Sequence, residues 1–479
     1  MPQQKAPRCD GRAKLRVCPQ GRSTQGPVQK NLSRAVGVVL GAAFLVSIAA
    51  GGSTLLSTAL LALLTAFLWA TLAIPAELTA LLFFTALLLT GLAPDHVALA
   101  GFESKAVWLV FAGLILSEVI GRHDMGHALF DRLLGRLKSY RALIWLVAVT
   151  GLLMAFFIPS AMGRVLLLSP LVLALADRLG FAADDPRRHG LFTAAVLGTV
   201  VPAFTIITSN VPNLVLMGAA EAIYDRTLTY GEYLLLNFPV LGLGAFLLIP
   251  LLVLRLFPGE RQISLPQSRP APWTRDQIKI GFLLAVTLAF WTTDQLHGIS
   301  AAWIGLAAAV FSLMPGIGLL PPQSIGKVNF GPWFFAAGSI GLGGVVSHSG
   351  LGDLLWGQVA AVVPFDSLPN PAKYAVVQAT AMVMASVTTL PAIPAVFTPL
   401  AGSIAESLNW PLDAALMVQV PAFVIFAFPF QAPPVLVGLT FLAVPLPAAM
   451  KLMARFFLIA TLILSPLHYL WGRLLGVFP

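Results

Sequence analysis

Four short segments of this 479-residue chain set proline beside hydroxyl and amide side chains within otherwise apolar stretches. They are Ile158-Pro159-Ser160-Ala161-Met162-Gly163-Arg164, Thr208-Ser209-Asn210-Val211-Pro212-Asn213, Thr388-Thr389-Leu390-Pro391-Ala392 and Phe430-Gln431-Ala432-Pro433-Pro434. Proline inside a helix removes an N–H and clashes with the preceding turn, so each segment predicts a break. Unwound backbone at membrane depth is tolerated only where it is buried in protein or lines a wet cavity. Such a break exposes helix N-termini, whose free N–H groups and partial positive charge suit an anion, and carbonyls and hydroxyls that suit a cation. A lone proline merely kinks a helix. Two pairs of breaks carrying Ser160, Ser209, Asn210, Pro212, Asn213, Thr389, Gln431, Pro433 and Pro434 read instead as one substrate site, converging near mid-membrane.

Arg164 adds a cation just inside the first break, where a charge is costly unless it meets water or a counter-charge. It either contacts the anion or replaces a bound cation; otherwise it snorkels to the nearby cytoplasmic surface or pairs with an acid such as Glu118. Glu118 and Asp294 lie near the ends of their spans, where they face headgroups or serve proton coupling. His123, His127 and His348 share no ligand spacing, and Cys9 and Cys18 match no metal or redox pattern. No Walker motif, Gly-x-Ser-x-Gly or His-Glu-x-x-His occurs, and no nucleophile and base can be assembled on facing helices, so no enzyme is expected.

The elements that must position these breaks are membrane helices. Hydrophobic residues make up 58% of the chain and charged residues 10%, far below the roughly one quarter charged that keeps a soluble domain wetted. Apolar runs reach the roughly 20 residues needed to cross about 30 Å of hydrocarbon. About eleven spans are expected, near 35–51, 54–73, 76–93, 104–121, 190–224, 233–255, 278–295, 300–315, 330–347, 411–444 and 447–472. Two further stretches, 142–178 and 374–406, are interrupted at the first and third breaks and read as re-entrant hairpins. The net charge of +9 reflects basic cytoplasmic loops rather than nucleic-acid binding. The tail, 178–189 and 255–279 are basic, whereas 51–54, 94–103, 296–299 and 348–372 hold no Lys or Arg. That contrast predicts a cytoplasmic N-terminus and an outer C-terminus. The segment 122–141 reads as a basic amphipathic helix on the membrane surface.

The two halves echo each other. Trp108–Gly113 (WLVFAG) resembles Trp333–Gly338 (WFFAAG), Pro170 matches Pro399, and Pro212 with Gly218 matches Pro434 with Gly438, at offsets of 220 to 229. Each repeat holds an odd number of spans, which predicts inversion. The expected organisation is a disordered basic tail (1–33), a first transmembrane helix (34–53), a first inverted repeat (54–256), a cytoplasmic linker (257–277) and a second inverted repeat (278–479).

At the breaks the chain resembles the divalent-anion:sodium symporter family, which carries dicarboxylates, citrate and sulfate. Thr208–Gly218 (TSNVPNLVLMG) is similar to that family's Gly-Thr-Pro-Pro-Asn segment, and Gly231–Pro239 (GEYLLLNFP) resembles the stretch just downstream of that segment in the family. Phe157–Pro170 is similar to the family's Ser-Asn-Thr hairpin tip and its trailing proline. The resemblance implies elevator-type alternating access, with a homodimer of scaffold domains each holding a mobile transport domain. Carried over residue by residue, it puts coupling-ion contacts at Ser160, Ala161, Gly163, Thr208, Asn213, Thr388, Thr389 and Ala432. The tips depart from the pattern: Ala161 and Met162 replace Asn and Thr, Leu390 and Pro391 replace them in the second tip, and Val435 replaces an Asn. Weak or absent sodium dependence is therefore expected.

The sequence thus predicts an all-α polytopic membrane protein of the bacterial inner membrane, a secondary transporter of small anions with no cofactor and sodium or a proton as coupling ion. A cation/proton antiporter of the same superfamily is the alternative within transport, and a non-transporting membrane protein the alternative outside it.

Overall fold

The computed structural model describes residues 27–125, 128, 132, 139–259 and 271–479. The tail before residue 27, most of the surface helix expected over 122–141, and residues 260–270 of the linker lie outside the described residues. Every element is helical, and no strand occurs among the described residues.

Helices start where the sequence supplies caps. Ser53, Ser104 and Ser139 accept hydrogen bonds from Leu56, Ala106 and Ala142 N–H, opening α2 (Thr54–Thr71), α4 (Lys105–Arg122) and α5 (Tyr140–Phe157). These bonds satisfy amides that have no partner within the helix. Asp185 likewise caps α7 (Pro186–Val200), and the bond from the Arg187 guanidinium holds its carboxyl below the usual range. Thr229 and Thr274 form capping boxes with Glu232 and Gln277. These open α9 (Tyr230–Leu256) and α10 (Arg275–Thr292). The first helix, α1, runs Pro27–Ala49 and so begins inside the segment read from sequence as tail. Arg34 does not end it; its guanidinium donates to Ala73 O at 3.4 Å.

The remaining elements are α3 (Ala76–Thr90), α6 (Ala161–Arg178), α8 (Val211–Tyr224), α11 (Ala301–Leu313), α12 (Gly331–His348), α13 (Leu351–Val362), α14 (Asn370–Val387), α15 (Ala392–Leu408), α16 (Leu412–Val424), α17 (Pro433–Phe441) and α18 (Leu446–Leu474). By length and apolarity, α1, α2, α5, α9 and α18 qualify as complete spans. The pair α12–α13, bent by 70°, makes a sixth. The difference from the eleven spans read in the sequence has several sources: α3 and α11 are short, α10 carries Arg275, Asp276 and Lys279, and two runs are broken. Runs 190–224 and 411–444 split into pieces too short to cross alone, and α4 carries Lys105, Glu118 and Arg122.

Packing sorts these helices into two groups. α4 packs along α11, and α12 along α3; the hairpin α5–α6 packs on α7, with α9 and α17 beside it. α8 packs on α4 and α12 of the first group and on α15. One close approach requires glycine: a Cβ on Gly113 of α4 would lie 2.9 Å from the ring carbons of Pro159, at the apex of the first hairpin. Both halves also contain a π-helical turn, at Phe238–Gly242 within α9 and Ala460–Leu464 within α18, offset by 222 residues. Buried His468 of α18 ties these elements together, taking a 2.7 Å bond with Tyr374 of α14 on Nδ1 and a 3.1 Å bond with Asn237 of α9 on Nε2.

Candidate functional site

At the first hairpin, α5 ends at Ile158 in extended backbone and α6 starts after Ser160, whose Oγ accepts from Gly163 N–H at 3.1 Å. Between α7 and α8 the chain passes through a 3-10 turn (Pro202–Thr205) and an irregular stretch ending at Asn210. Asn213 bridges that stretch, its Nδ2 donating to Ile206 O at 2.8 Å. In the second half, α14 ends before Thr388, and α17 begins after Ala432 with Pro433 and Pro434 in its first turn.

The tip and the broken helix of each half are laced together by side chains. Ser209 Oγ donates to Ala155 O of α5. Gln431, 222 residues later, donates from Nε2 to Ala385 O of α14 at 2.7 Å. Its Oε1 accepts from Ala427 and Phe428 N–H, and its carbonyl accepts from Leu390 N–H at 2.8 Å. Arg164 supplies the rest of the lacing in the first half. Its Nη1 donates to Ile158 O at 2.6 Å and Ser209 O at 2.9 Å, and its Nη2 to Asn210 Oδ1 at 2.9 Å.

Arg164 is 0% exposed and forms no ion pair among the described residues. It neither snorkels nor meets Glu118, which is exposed. Asp294 is spoken for as well, its carboxylate accepting from Tyr230 and Gly231 N–H at the start of α9. Arginine has only donors, so the oxygen of the Asn210 amide must face it. Asn210 Nδ2 is left buried with no partner.

Residues of all four breaks line one cavity of about 330 Å³. The first break contributes Pro159, Ser160, Ala161 and Met162, the second Asn210, Val211 and Pro212, the third Thr389, Leu390 and Pro391, and the fourth Ala432, Pro433 and Pro434. The N-termini of α6, α8 and α17 all open onto it. The first amides of α6 and α8 have no acceptor within their own helices, whereas Pro433 and Pro434 have no N–H to offer. Backbone donors without a helix partner therefore concentrate on the first-half side, where Asn210 Nδ2 is also left buried without a partner. Of the residues expected from sequence, Ser160, Ala161, Asn210, Pro212, Thr389, Ala432, Pro433 and Pro434 line the cavity. Gly163, Arg164, Thr208, Ser209, Asn213, Thr388 and Gln431 do not; Arg164, Ser209, Asn213 and Gln431 instead make the lacing contacts given above.

The opposite wall was not read from sequence. It comprises Trp69, Leu72 and Glu77 from the α2–α3 corner, Val110 and Leu114 of α4, and Asn329, Gly331 and Phe335 at the start of α12. Glu77 is the one charged residue lining the cavity among the described residues, and it has no hydrogen-bond or ion-pair partner among them. A carboxylate just after Pro75 in a strongly apolar stretch was the available signal. No group of three His, Cys, Asp or Glu residues suited to a metal occurs among the described residues.

The family model for citrate transporters, CitMHS, matches residues 64–424, well over half of the chain. The chain belongs to the citrate transporter family. Among its relatives is an uncharacterized transporter of Haemophilus influenzae, 21% identical over 77% of this chain and 81% of that protein. A citrate/succinate antiporter of Escherichia coli K12 is 26% identical over 48% of this chain and 50% of its own length. An L-tartrate/succinate antiporter of Shigella dysenteriae is 23% identical over 56% of this chain and 58% of its own. The chain thus matches about half the length of these two antiporters. The crystal structure of the Alcanivorax borkumensis YdaH transporter, described as having an unusual topology, aligns with a TM-score of 0.52 at 19% identity, covering 78% of this chain and 86% of that one. This citrate transporter family member is an integral membrane transporter with an all-helical fold, in keeping with the divalent-anion resemblance of its tips.

Proposed function

We propose that this chain is a secondary transporter that exchanges small di- and tricarboxylates of the citrate, succinate and tartrate class across a bacterial inner membrane. The observation that carries this reading is the opening of the α6 and α8 N-termini onto the 330 Å³ cavity, near the small end of ligand-pocket volumes, which run from about 300 Å³. A substrate carboxylate sits against the first amides of α6 and α8 and takes a hydrogen bond from Asn210 Nδ2. The rest of the substrate rests on Thr389, Ala432 and Pro433. Relatives that exchange citrate or tartrate for succinate support the substrate class and the antiport mode.

Alternating access follows from the division of the cavity wall. The breaks and their hairpins form a moving transport domain, and α2, α3, α4, α11 and α12 form a scaffold across which it slides. Matched lacing by Ser209 and Gln431, and matched π turns, support two repeats of inverted topology. With the basic loops inside, the Glu77–Asn329 end of the cavity opens toward the cytoplasm. Two protomers joined through their scaffolds make the working unit.

Sodium does not fit the first tip. Beside the expected contacts at Ser160, Ala161 and Gly163, the converging oxygens Ile158 O, Ser209 O and Asn210 Oδ1 already accept from the Arg164 guanidinium. Arg164 is a fixed cation behind the anion site and offsets one negative charge of the substrate without a travelling sodium. The test is counterflow in proteoliposomes loaded with unlabelled succinate. External labelled citrate, tartrate or succinate should accumulate in sodium-free buffer, and labelled sulfate should not. Accumulation that needs no internal anion would overturn the exchange reading.

A further inference from the structure

We propose that a groove between α5, α9 and α18 binds the phosphodiester headgroup of an anionic phospholipid in the cytoplasmic leaflet. The groove has a volume of about 980 Å³ and contains three arginines: Arg141 in the first turn of α5, Arg255 in the last turn of α9, and Arg455 on α18. All three are exposed, and none has a hydrogen-bond or ion-pair partner among the described residues. Two other cations on the same side are paired: Arg187 holds Asp185 at 2.7 Å and Arg188 holds Asp177 at 2.6 Å. Three like charges sharing a groove repel one another, and an anion between them relieves that repulsion.

Depth places the groove at the membrane boundary. Arg141 and Arg255 stand where α5 begins and α9 ends. α18 has 29 residues, roughly 43 Å of helix, which exceeds a hydrocarbon core of about 30 Å. Since Arg255 and Arg455 line one groove, the first turns of α18 project past the end of α9, and Arg455 lies at headgroup level. The walls distinguish a lipid from a free phosphate. Leu251, Leu254 and Ile459 line the same groove, a surface useless to an inorganic anion and suited to acyl chains. Basic pockets between transmembrane helices on the cytoplasmic side are a general setting for acidic headgroups. The leaflet rests on the loop-charge orientation proposed above; the site itself does not.

The test uses the full chain in nanodiscs of phosphatidylcholine with a minor fraction of phosphatidylglycerol, reading the lipids retained by native mass spectrometry. The wild type should retain phosphatidylglycerol preferentially. Each of Arg141→Gln, Arg255→Gln and Arg455→Gln should cut that preference roughly fivefold, the share of one cation near an anionic surface. The triple variant should show none, while Arg473→Gln, on the last turn of α18, should leave it intact. Single variants carry the test if the triple variant does not fold, as judged by gel filtration and by exchange in pure phosphatidylcholine. Excess inorganic phosphate should leave the retained lipid in place. Equal retention of both lipids by the wild type, unchanged preference in the arginine variants, or complete displacement by phosphate would each overturn the proposal. Loss of exchange activity with lipid retention unchanged would count against the transport reading and leave the lipid site standing.

Discussion

Arg164 Nη2 donates to Asn210 Oδ1 at 2.9 Å, and this bond fixes the Asn210 amide with its Nδ2 buried and without a partner beside the cavity. In the proposed site the buried cation acts at one remove, leaving Nδ2 as the Asn210 group available to donate to a substrate anion. Asn210→Ala should therefore raise the KM for citrate or succinate by roughly 10- to 100-fold, the worth of a hydrogen bond to a charged group. Asn210→Asp should keep the protein folded, through a new ion pair with Arg164, yet abolish uptake by placing a carboxylate where the substrate's must go. Uptake assays beside thermal unfolding in detergent separate the two effects. Equal KM values for wild type and Asn210→Ala would remove Asn210 from the site.

Glu77 faces the same cavity from the other wall and has no cationic partner among the described residues. Like-charge repulsion of about 1 kcal/mol across a wet cavity should weaken dianion binding. Glu77→Gln should lower the KM several-fold for a doubly charged substrate and less for a singly charged one. An unchanged ratio between the two would show that Glu77 does not sense the substrate.

Gly113 lets α4 touch the hairpin apex, where an added methyl would meet Pro159 at 2.9 Å. Gly113→Ala should cost about 1–3 kcal/mol by overpacking and slow transport more than it lowers the unfolding temperature, because the shift falls on the tip. A variant with wild-type rates would mean that this contact is not kept during the transport cycle.

Much of this was written in the sequence, and the omissions have physical causes. Helix breaks at Pro159, Pro212, Pro391 and Pro433 were legible because proline enforces them locally. The destination of Arg164 was not, since nothing near it in sequence shows that carbonyls of Ile158 and Ser209 converge on it. Ser209 and Gln431 read as ligands by type; three-dimensional packing turned both toward helix carbonyls instead. Glu77, Trp69 and Asn329 were invisible as a wall because they meet the breaks only through tertiary packing. The π turns in α9 and α18 leave no periodic signature at all.

Orientation can be read with single cysteines. Asp184, exposed in the loop before α7, and Ser367, exposed between α13 and α14, should react with impermeant maleimide from opposite faces when each is replaced by Cys. Asp184→Cys should label only in inverted vesicles and Ser367→Cys only in intact cells. Labelling of both from one face would contradict the topology and the inversion of the repeats together.

A role for Arg164 in place of a coupling cation at the first tip is tested most directly by labelled-succinate exchange in proteoliposomes with choline or sodium as the external cation. The wild type should exchange at the same rate in both. Arg164→Ala should be slow in choline, because the change leaves Ile158 O, Ser209 O and Asn210 Oδ1 without a donor and the anion without its fixed counter-charge. Wild-type exchange that rises steeply with sodium, together with an Arg164→Ala variant indistinguishable from it, would show that sodium and not Arg164 serves the first tip.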